Sequence, residues 1–419
     1  MNEASVSEAT PSARGAQRQG ASFARRLVHG LLGHLECGSL ALHEAGEVRH
    51  FGDTGGNGVT ATIHINDPRA YRHFVAGGTI GAGESYMLGL WQSPCLTDVI
   101  RLFCANMVAM ERMEGGVSLF RRLAQRVVHA LKRNSLNGAR RNIQAHYDLG
   151  NDFFSLFLDP AMMYSSAVFP SEDATLEVAS RHKLELLCRD LELTEDDHLL
   201  EIGSGWGGMA IFAASEYGCR VTTTTISREQ YEYTLGKVRD AGLEDRISVL
   251  CQDYRVLQGS YDKVVSIEMV EAVGYEFYGE FFRRCNELLK PDGKFVMQAI
   301  TIQDQRFEAA RDTVDFIKRY IFPGGCLPSL EVISRHVSRD TDLQMIALRD
   351  ITADYARTLA QWRARFLAAR EQVRALGFEE RFQRMWEFYL CYCEGGFRER
   401  VISTVQLTFA GPQYRFPAT

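Results

Sequence analysis

Nowhere in the 419 residues do eighteen or so apolar side chains run together, so the sequence carries no transmembrane-helix signal. Any membrane contact is expected to be peripheral, with the protein cytoplasmic. An excess of positive charge is also missing: 47 Lys and Arg against 53 Asp and Glu leave a net charge of -6, which argues against general nucleic-acid binding. The ten cysteines are scattered, with no CxxC pair and no compact disulfide framework. They read as small buried hydrophobes of a reducing compartment, and no metal site is expected.

What is present is ample apolar material, 46% of the residues, enough for two or three packed domains. Residues 1–25 are small, polar and rich in Arg, Ser and Ala, and are expected to form a disordered tail. Residues 26–115 read as a small α/β domain. In it VTATIHI (Val59 to Ile65) alternates after the glycine-rich GDTGGNG, which predicts a hairpin, and Pro68 after an Asn/Asp cap opens a helix. Acids are absent from residues 115–147, where Arg121, Arg122, Arg126, Lys132, Arg133, Arg140 and Arg141 stand among Leu119, Phe120, Leu123, Val127 and Leu131 at helical spacing. Residues 116–145 are therefore expected to be a basic amphipathic linker helix. It would either meet a membrane surface or acidic partner, or join two domains with its arginines solvated.

From Asp197 the pattern alternates strand and helix: HLLEIG, a helix through Tyr217, CRVTTTTIS, a helix opened by Ser227 and Gln230, RISVLCQD, YDKVVSIEM, a helix over Glu276 to Leu289, then GKFVMQAIT. That order predicts an α/β fold with a parallel sheet, whose ligands bind beyond the carboxyl ends of the strands. Gly203, Gly205 and Gly208 in LLEIGSGWGG formally satisfy GxGxxG. The acid that a dinucleotide ribose wants after the second strand is missing, since that strand runs into Thr224, Thr225, Ile226 and Ser227. No Lys follows the glycines as a phosphate-binding Walker loop requires. S-adenosylmethionine, which has no phosphate, is the remaining candidate, with Gln252 and Asp253 at the third strand's tip facing its adenine; the alternative for Asp253 is a cap on a following helix.

From about Arg49 to the end the sequence resembles the cyclopropane fatty-acid synthase family of S-adenosylmethionine methyltransferases. The likeness rests on HYDLGNDFFSLFLDPAMMYSSAVF (His146 to Phe169), LLEIGSGWGG, TTISREQ, QDYR, RYIFPGGCLPS, ADYARTL and EGGFRER, in that order. The resemblance implies a Rossmann-like class I methyltransferase core over residues 146–419 with a helical lipid-site insertion, and an N-terminal domain that helps engage phospholipid. It further implies a cofactor pocket of Tyr164, Ser165, Gly203, Gly205, Thr225, Gln230, Gln252 and Asp253, an unsaturated phospholipid acyl chain as substrate, and a possible homodimer at the bilayer surface.

Methylating an isolated alkene leaves a carbocation that must lose a proton, which calls for a dry site with one placed base. Aromatic residues of the last third, Phe307, Phe316, Tyr320, Phe322, Trp362, Phe366, Trp386, Phe388 and Tyr389, could line such a channel or simply form a helical core. In the family the proton goes to a bicarbonate held by a Cys, a Glu, a His beside an Ile, and a Tyr. At the matching positions stand Ser166, Glu271, Gln298 with Ile300, and Tyr355, so the Cys and the His are replaced by neutral groups. Bicarbonate is expected either to bind through Ser166, Gln298 and Tyr355, or to be dispensed with while Glu271 and Tyr355 handle the proton. Glu271 could instead be a structural acid paired with Gln298. Proton loss from the added methyl closes a cyclopropane; loss from a neighbouring chain carbon leaves a methyl branch. A methyltransferase for a soluble small acceptor, and a lipid-binding protein with a vestigial cofactor fold, are the other readings.

Overall fold

The structure, a computed structural model, describes residues 23–53, 55–56, 58–107 and 149–416. The predicted basic helix of residues 116–145 and most of the predicted tail lie outside the described residues. Residues 23–25, assigned to that tail, already belong to a helix over residues 23–32, whose Ala24, Val28 and Leu32 recur at a four-residue spacing and are buried. The chain divides into two compact units, Met1–Gly115 with Arg384–Phe388, and Gly116–Gln383 with Tyr389–Thr419.

The first unit holds a four-stranded sheet in the order β2-β1-β3-β4, from β1 (Ser39–Glu44), β2 (Glu47–Gly52), β3 (Thr60–Ile65) and β4 (Trp91–Gln92). The hairpin is not where the sequence put it. β2 turns back on β1 through Ala45 and Gly46, both in the left-handed region, whereas β3 lies parallel to β1. The glycines around GDTGGNG serve a close backbone approach instead: a Cβ on Gly52 would lie 2.3 Å from the Gly38 carbonyl oxygen. Helix α1 (Arg69–Met87) follows Pro68, with Asp67 Oδ1 accepting from Arg69 N at 2.8 Å. It is kinked at Gly78 (φ 52°), and α2 (Leu96–Ala105) follows it.

The second unit is built on a seven-stranded sheet in the order β10-β11-β9-β8-β5-β6-β7. Strands β5 (His198–Ile202), β6 (Arg220–Thr224), β7 (Ile247–Leu250), β8 (Tyr261–Ile267) and β9 (Leu289–Ile302) run parallel, as the alternation predicted. β11 (Ile402–Ala410) pairs antiparallel with both of its neighbours, β9 and β10 (Gln344–Asp350). Consecutive residues serve opposite faces: Leu200, Val264 and Phe295 join one core cluster, and Leu199, Val265 and Val296 the other. Around the sheet lie α3 (Leu176–Leu191), α4 (Gly208–Tyr217), α5 (Arg228–Asp240), α6 (Tyr278–Leu288) and α7 (Leu330–Asp340). A helical segment with α8 (Thr352–Ala368) and α9 (Glu380–Arg398) is inserted between β10 and β11. Among the described residues, no helix is long and apolar enough to cross a membrane.

Candidate functional site

The loop from β5 into α4 makes three left-handed turns, at Gly203 (φ 100°), Gly205 (φ 49°) and Gly207 (φ 90°). It is pinned to the end of β6, because Gly203 N and Ser204 N both donate to Thr224 O, at 3.1 and 2.8 Å. The glycines do different work. A Cβ on Gly208 would lie 2.5 Å from Met163 Sδ, so that glycine serves packing, and one on Gly207 would meet Thr234. A Cβ on Gly205 would meet nothing within 4 Å, so at this point the backbone lies open to a ligand. Such a bare backbone at the carboxyl edge of β5 fits S-adenosylmethionine, which needs close approach and no phosphate contact.

Beyond β6, the Thr225 hydroxyl donates to Gln230 Oε1 at 2.8 Å and accepts from Ser227 N at 3.1 Å. Ser227 Oγ in turn caps α5 by accepting from Gln230 N. The predicted capping box is thus relayed through Thr225, and Thr225 and Gln230 are buried together at the strand end. Asp253 is buried and caps a short turn, Oδ1 accepting from Arg255 N at 3.0 Å, while its carboxylate pairs with the Arg255 guanidinium at 2.7 Å. The cap weighed against a binding role is therefore real. Gln252, beside it, is exposed. Tyr164 sits half-buried, stacked on Trp362 at 5.3 Å, its hydroxyl 2.9 Å from that of Tyr389. Ser165 is buried and accepts from Lys183 Nζ at 2.7 Å.

The residues matched to the bicarbonate site do converge, and they converge on a carboxylate that sequence reasoning passed over. Glu268 follows the last residue of β8. Its Oε1 accepts from Ser166 N at 2.8 Å and from Gln298 Nε2 at 2.7 Å, and its Oε2 accepts from Tyr355 OH at 2.7 Å. The partner of Gln298 is therefore Glu268, not Glu271. Glu271 is bound elsewhere: its Oε1 accepts from Ile300 N, and its Oε2 is enclosed without a hydrogen-bond partner. The Ser166 hydroxyl turns away to the Ala167 carbonyl. The protein leaves no donor of this set for an added anion, and a second negative charge beside Glu268 would be repelled, so the residues present do not fit a bicarbonate ion.

The orientation of the Gln298 amide is fixed from outside. Arg349, paired with Asp190, can only donate, and does so to Gln406 Oε1 at 2.7 Å. Gln406 Nε2 then donates to Gln298 Oε1 at 2.9 Å, which turns the Gln298 amide nitrogen toward Glu268. The chain crosses β10, β11 and β9 because Arg349, Gln406 and Gln298 are register partners.

Burial raises the pKa of Glu268, opposed by its donors Tyr355, Ser166 and Gln298. Burial, then the charge of Glu268, pushes Glu271 up to about 8. Both residues keep part of their surface accessible, yet their carboxyls lie deep enough for desolvation to dominate. Lys183 on α3 is fully buried, and desolvation lowers its pKa to about 8 against the fields of Glu268, Asp159 and Glu201. Glu201, the acid ahead of the glycines, is itself pushed up to about 8 by burial, while accepting from Thr223 Oγ1 at 2.6 Å. Sequence reasoning missed Glu268, Lys183 and Gln406. For Glu268 a signal existed: it lies at the carboxyl end of a parallel strand, where such sheets bind ligands.

Known proteins resemble this chain over most of its length. The family model described as mycolic acid cyclopropane synthetase matches residues 134–407. The tuberculostearic acid methyltransferase UfaA1 of Mycobacterium tuberculosis is 39% identical over 83% of this chain and 82% of its own. The cyclopropane-fatty-acyl-phospholipid synthase of Escherichia coli K12 is 37% identical over 84% of this chain and 88% of its own. Among solved structures, the cyclopropane synthase MmaA2 from Mycobacterium tuberculosis superposes with a TM-score of 0.61 at 31% identity, over 65% of this chain and 98% of that one. The mycolic acid cyclopropane synthase CmaA1 complexed with SAH and CTAB gives 0.60 at 32% identity, again over 65% and 98%. With its class I sheet, its open glycine loop and these relatives, the chain belongs to the cyclopropane fatty-acid synthase family and is an S-adenosylmethionine-dependent methyltransferase.

Proposed function

We propose that this enzyme methylates the double bond of an unsaturated acyl chain in a membrane phospholipid and closes the resulting cation to a cyclopropane. The observation that carries the reading is a pair of half-buried glutamates set among aromatic rings at the carboxyl edge of the parallel strands. Tyr355, bonded to Glu268, stacks on Phe397 at 4.5 Å and meets Trp362 edge-on at 6.2 Å, and Trp362 stacks on Tyr164. Ring faces tolerate passing positive charge and exclude the water that would trap a carbocation.

Bound S-adenosylmethionine supplies an electrophilic methyl group. Gly203 and Gly205 would lie beneath it, Tyr164 and Ser165 over it, and Thr225, Gln230, Gln252 and Asp253 around its nucleoside. With Arg255 already paired to Asp253, the neighbouring exposed Gln252 is the freer of the two to address the adenine. The Glu268 and Glu271 pair receives the proton that the substrate loses, and Ile300 contributes through its amide by holding Glu271. The first unit is assigned to engaging phospholipid, with the enzyme peripheral on a bilayer surface and active as a homodimer.

The test is to incubate the full chain with S-adenosylmethionine and vesicles of unsaturated phospholipid, then examine the acyl chains by proton NMR. High-field cyclopropane protons with loss of the olefin are expected. A new methyl with a retained or shifted olefin would replace ring closure by branching, the second reading. Full activity after deletion of residues 1–115, on a soluble acceptor, would overturn the lipid substrate.

A further inference from the structure

We infer that Glu268 is the proton acceptor of this reaction, a carboxylate carried by the chain itself that makes the site independent of any dissolved anion. The inference rests on the proposed alkene methylation and deepens it.

Three donors define a place for an anion: the amide of Ser166, the amide nitrogen of Gln298 and the hydroxyl of Tyr355. All three are spent on Glu268. None can turn elsewhere easily. The Ser166 amide is backbone, the Gln298 amide is locked by the Arg349–Gln406 relay, and Tyr355 is clamped against Phe397. An ionised carboxylate accepts about four hydrogen bonds. Oε1 takes two and Oε2 takes one, so Oε2 keeps an acceptor direction for a proton.

The backbone points the same way. Glu268 has φ 49°, a left-handed conformation that costs a residue with a side chain and suits glycine. Its amide donates to Gln298 O at 2.8 Å, holding that conformation at the end of β8. Strain of this kind persists where the surroundings over-determine it, and it clusters at working sites. The buried ammonium of Lys183 adds a field that favours the charged form of Glu268.

Chemically, the step needs placement more than basicity, because a C–H bond of the added methyl, turned toward the cationic carbon, is far more acidic than a carboxylic acid. That C–H bond breaks, its electron pair forms the last ring bond, and the proton passes to Oε2. Glu268 becomes a neutral acid with the neighbouring carboxyl of Glu271 beside it, and the proton then leaves to solvent as Glu268 ionises again.

The experiment uses the full-length enzyme, S-adenosylmethionine and unsaturated phospholipid vesicles, in buffer stripped of carbon dioxide and in buffer with added bicarbonate. Wild-type turnover is expected to be the same in both. Glu268→Gly suits the local backbone and opens a carboxylate-sized space; it should lose about two to four orders of magnitude in turnover and recover an order of magnitude or more with bicarbonate or formate. Glu268→Gln, whose amide fills the space, should lose as much and show no rescue. Calorimetric binding of S-adenosylmethionine shows that each variant is folded. A second readout needs no turnover: carbon-13 bicarbonate should bind the Glu268→Gly variant and not the wild type. Loss of wild-type activity on removing bicarbonate, bicarbonate binding by the wild type, or wild-type turnover in Glu268→Gly would each overturn the inference. If the wild type methylates no lipid, the functional reading falls, and the bicarbonate-binding comparison still decides who occupies the anion site.

Discussion

Replacing Glu271 by Gln tests the electrostatics of the site through stability. The wild-type carboxyl, pushed up to about 8 by burial and by Glu268, stays protonated in the folded protein at pH 7, whereas in the unfolded chain it ionises near its ordinary value of 4.5. Between those values the folded state holds the extra proton. Stability from this group is therefore fully present below pH 4.5 and is lost as the pH rises through 8, at up to about 1.4 kcal/mol per pH unit. Gln keeps an acceptor for Ile300 N and has no proton to lose. Stability of the variant relative to wild type should thus rise by roughly 3 kcal/mol from pH 5 to pH 7, a difference in which the other titrating groups largely cancel. Urea unfolding in pH steps reads it; at a slope of about 3 kcal/mol per molar urea, the midpoints should separate by about 1 M over that interval. Turnover should fall by about two orders of magnitude, since the Glu271 acid can release its own proton as Glu268 passes the accepted one on, and the amide that replaces it cannot. Parallel stability profiles for the two proteins would refute the neutral buried acid.

Three further outcomes follow from the same geometry. Lys183→Met strands Asp159 and Glu268 without their buried cation and should cost about 3–5 kcal/mol at pH 7 by urea unfolding; a loss of a few tenths would mean the three groups do not act together. Gly205→Ala should weaken S-adenosylmethionine in a calorimeter with only about 1–2 kcal/mol of backbone strain, while Gly208→Ala, driven into Met163 and the Ala161 carbonyl, should damage stability first; the reverse pattern would reject the assignment of Gly205 as the open glycine. Gln406→Leu leaves the Gln298 amide free to flip and should lower kcat about tenfold with cofactor affinity unchanged, the signature of a positioning residue; an equal loss of cofactor binding would point to general disruption instead.

Much of the fold was legible because its signals are local. Buried parallel strands read as short apolar runs separated by helical stretches, and Ser227, which caps α5, and the β5 glycines mark their turns in the chain itself. The hairpin of the first unit was misplaced for the opposite reason. A glycine cluster signals an unusual backbone but does not say whether it turns a hairpin or lets two strand ends meet, and Gly38, which decides between these, lies fourteen residues before Gly52. The cofactor loop was found by composition, yet only the packing of Met163 and Thr234 separates Gly208 and Gly207 from the open Gly205.

The sequence by itself determined the reaction family, the cofactor, and which positions around the proton site depart from the family pattern. It did so because long ordered motifs and strand-end positions survive as linear information. Tertiary structure alone decided what those departures mean. Ser166, Glu268, Gln298, Tyr355 and Gln406 lie on five separate stretches spread over 240 residues, and which end of the Gln298 amide meets Glu268 depends on an arginine two strands away. Hydrogen-bond direction and burial are properties of that assembled neighbourhood, so the carboxylate at its centre becomes visible only once the sheet has brought the five together.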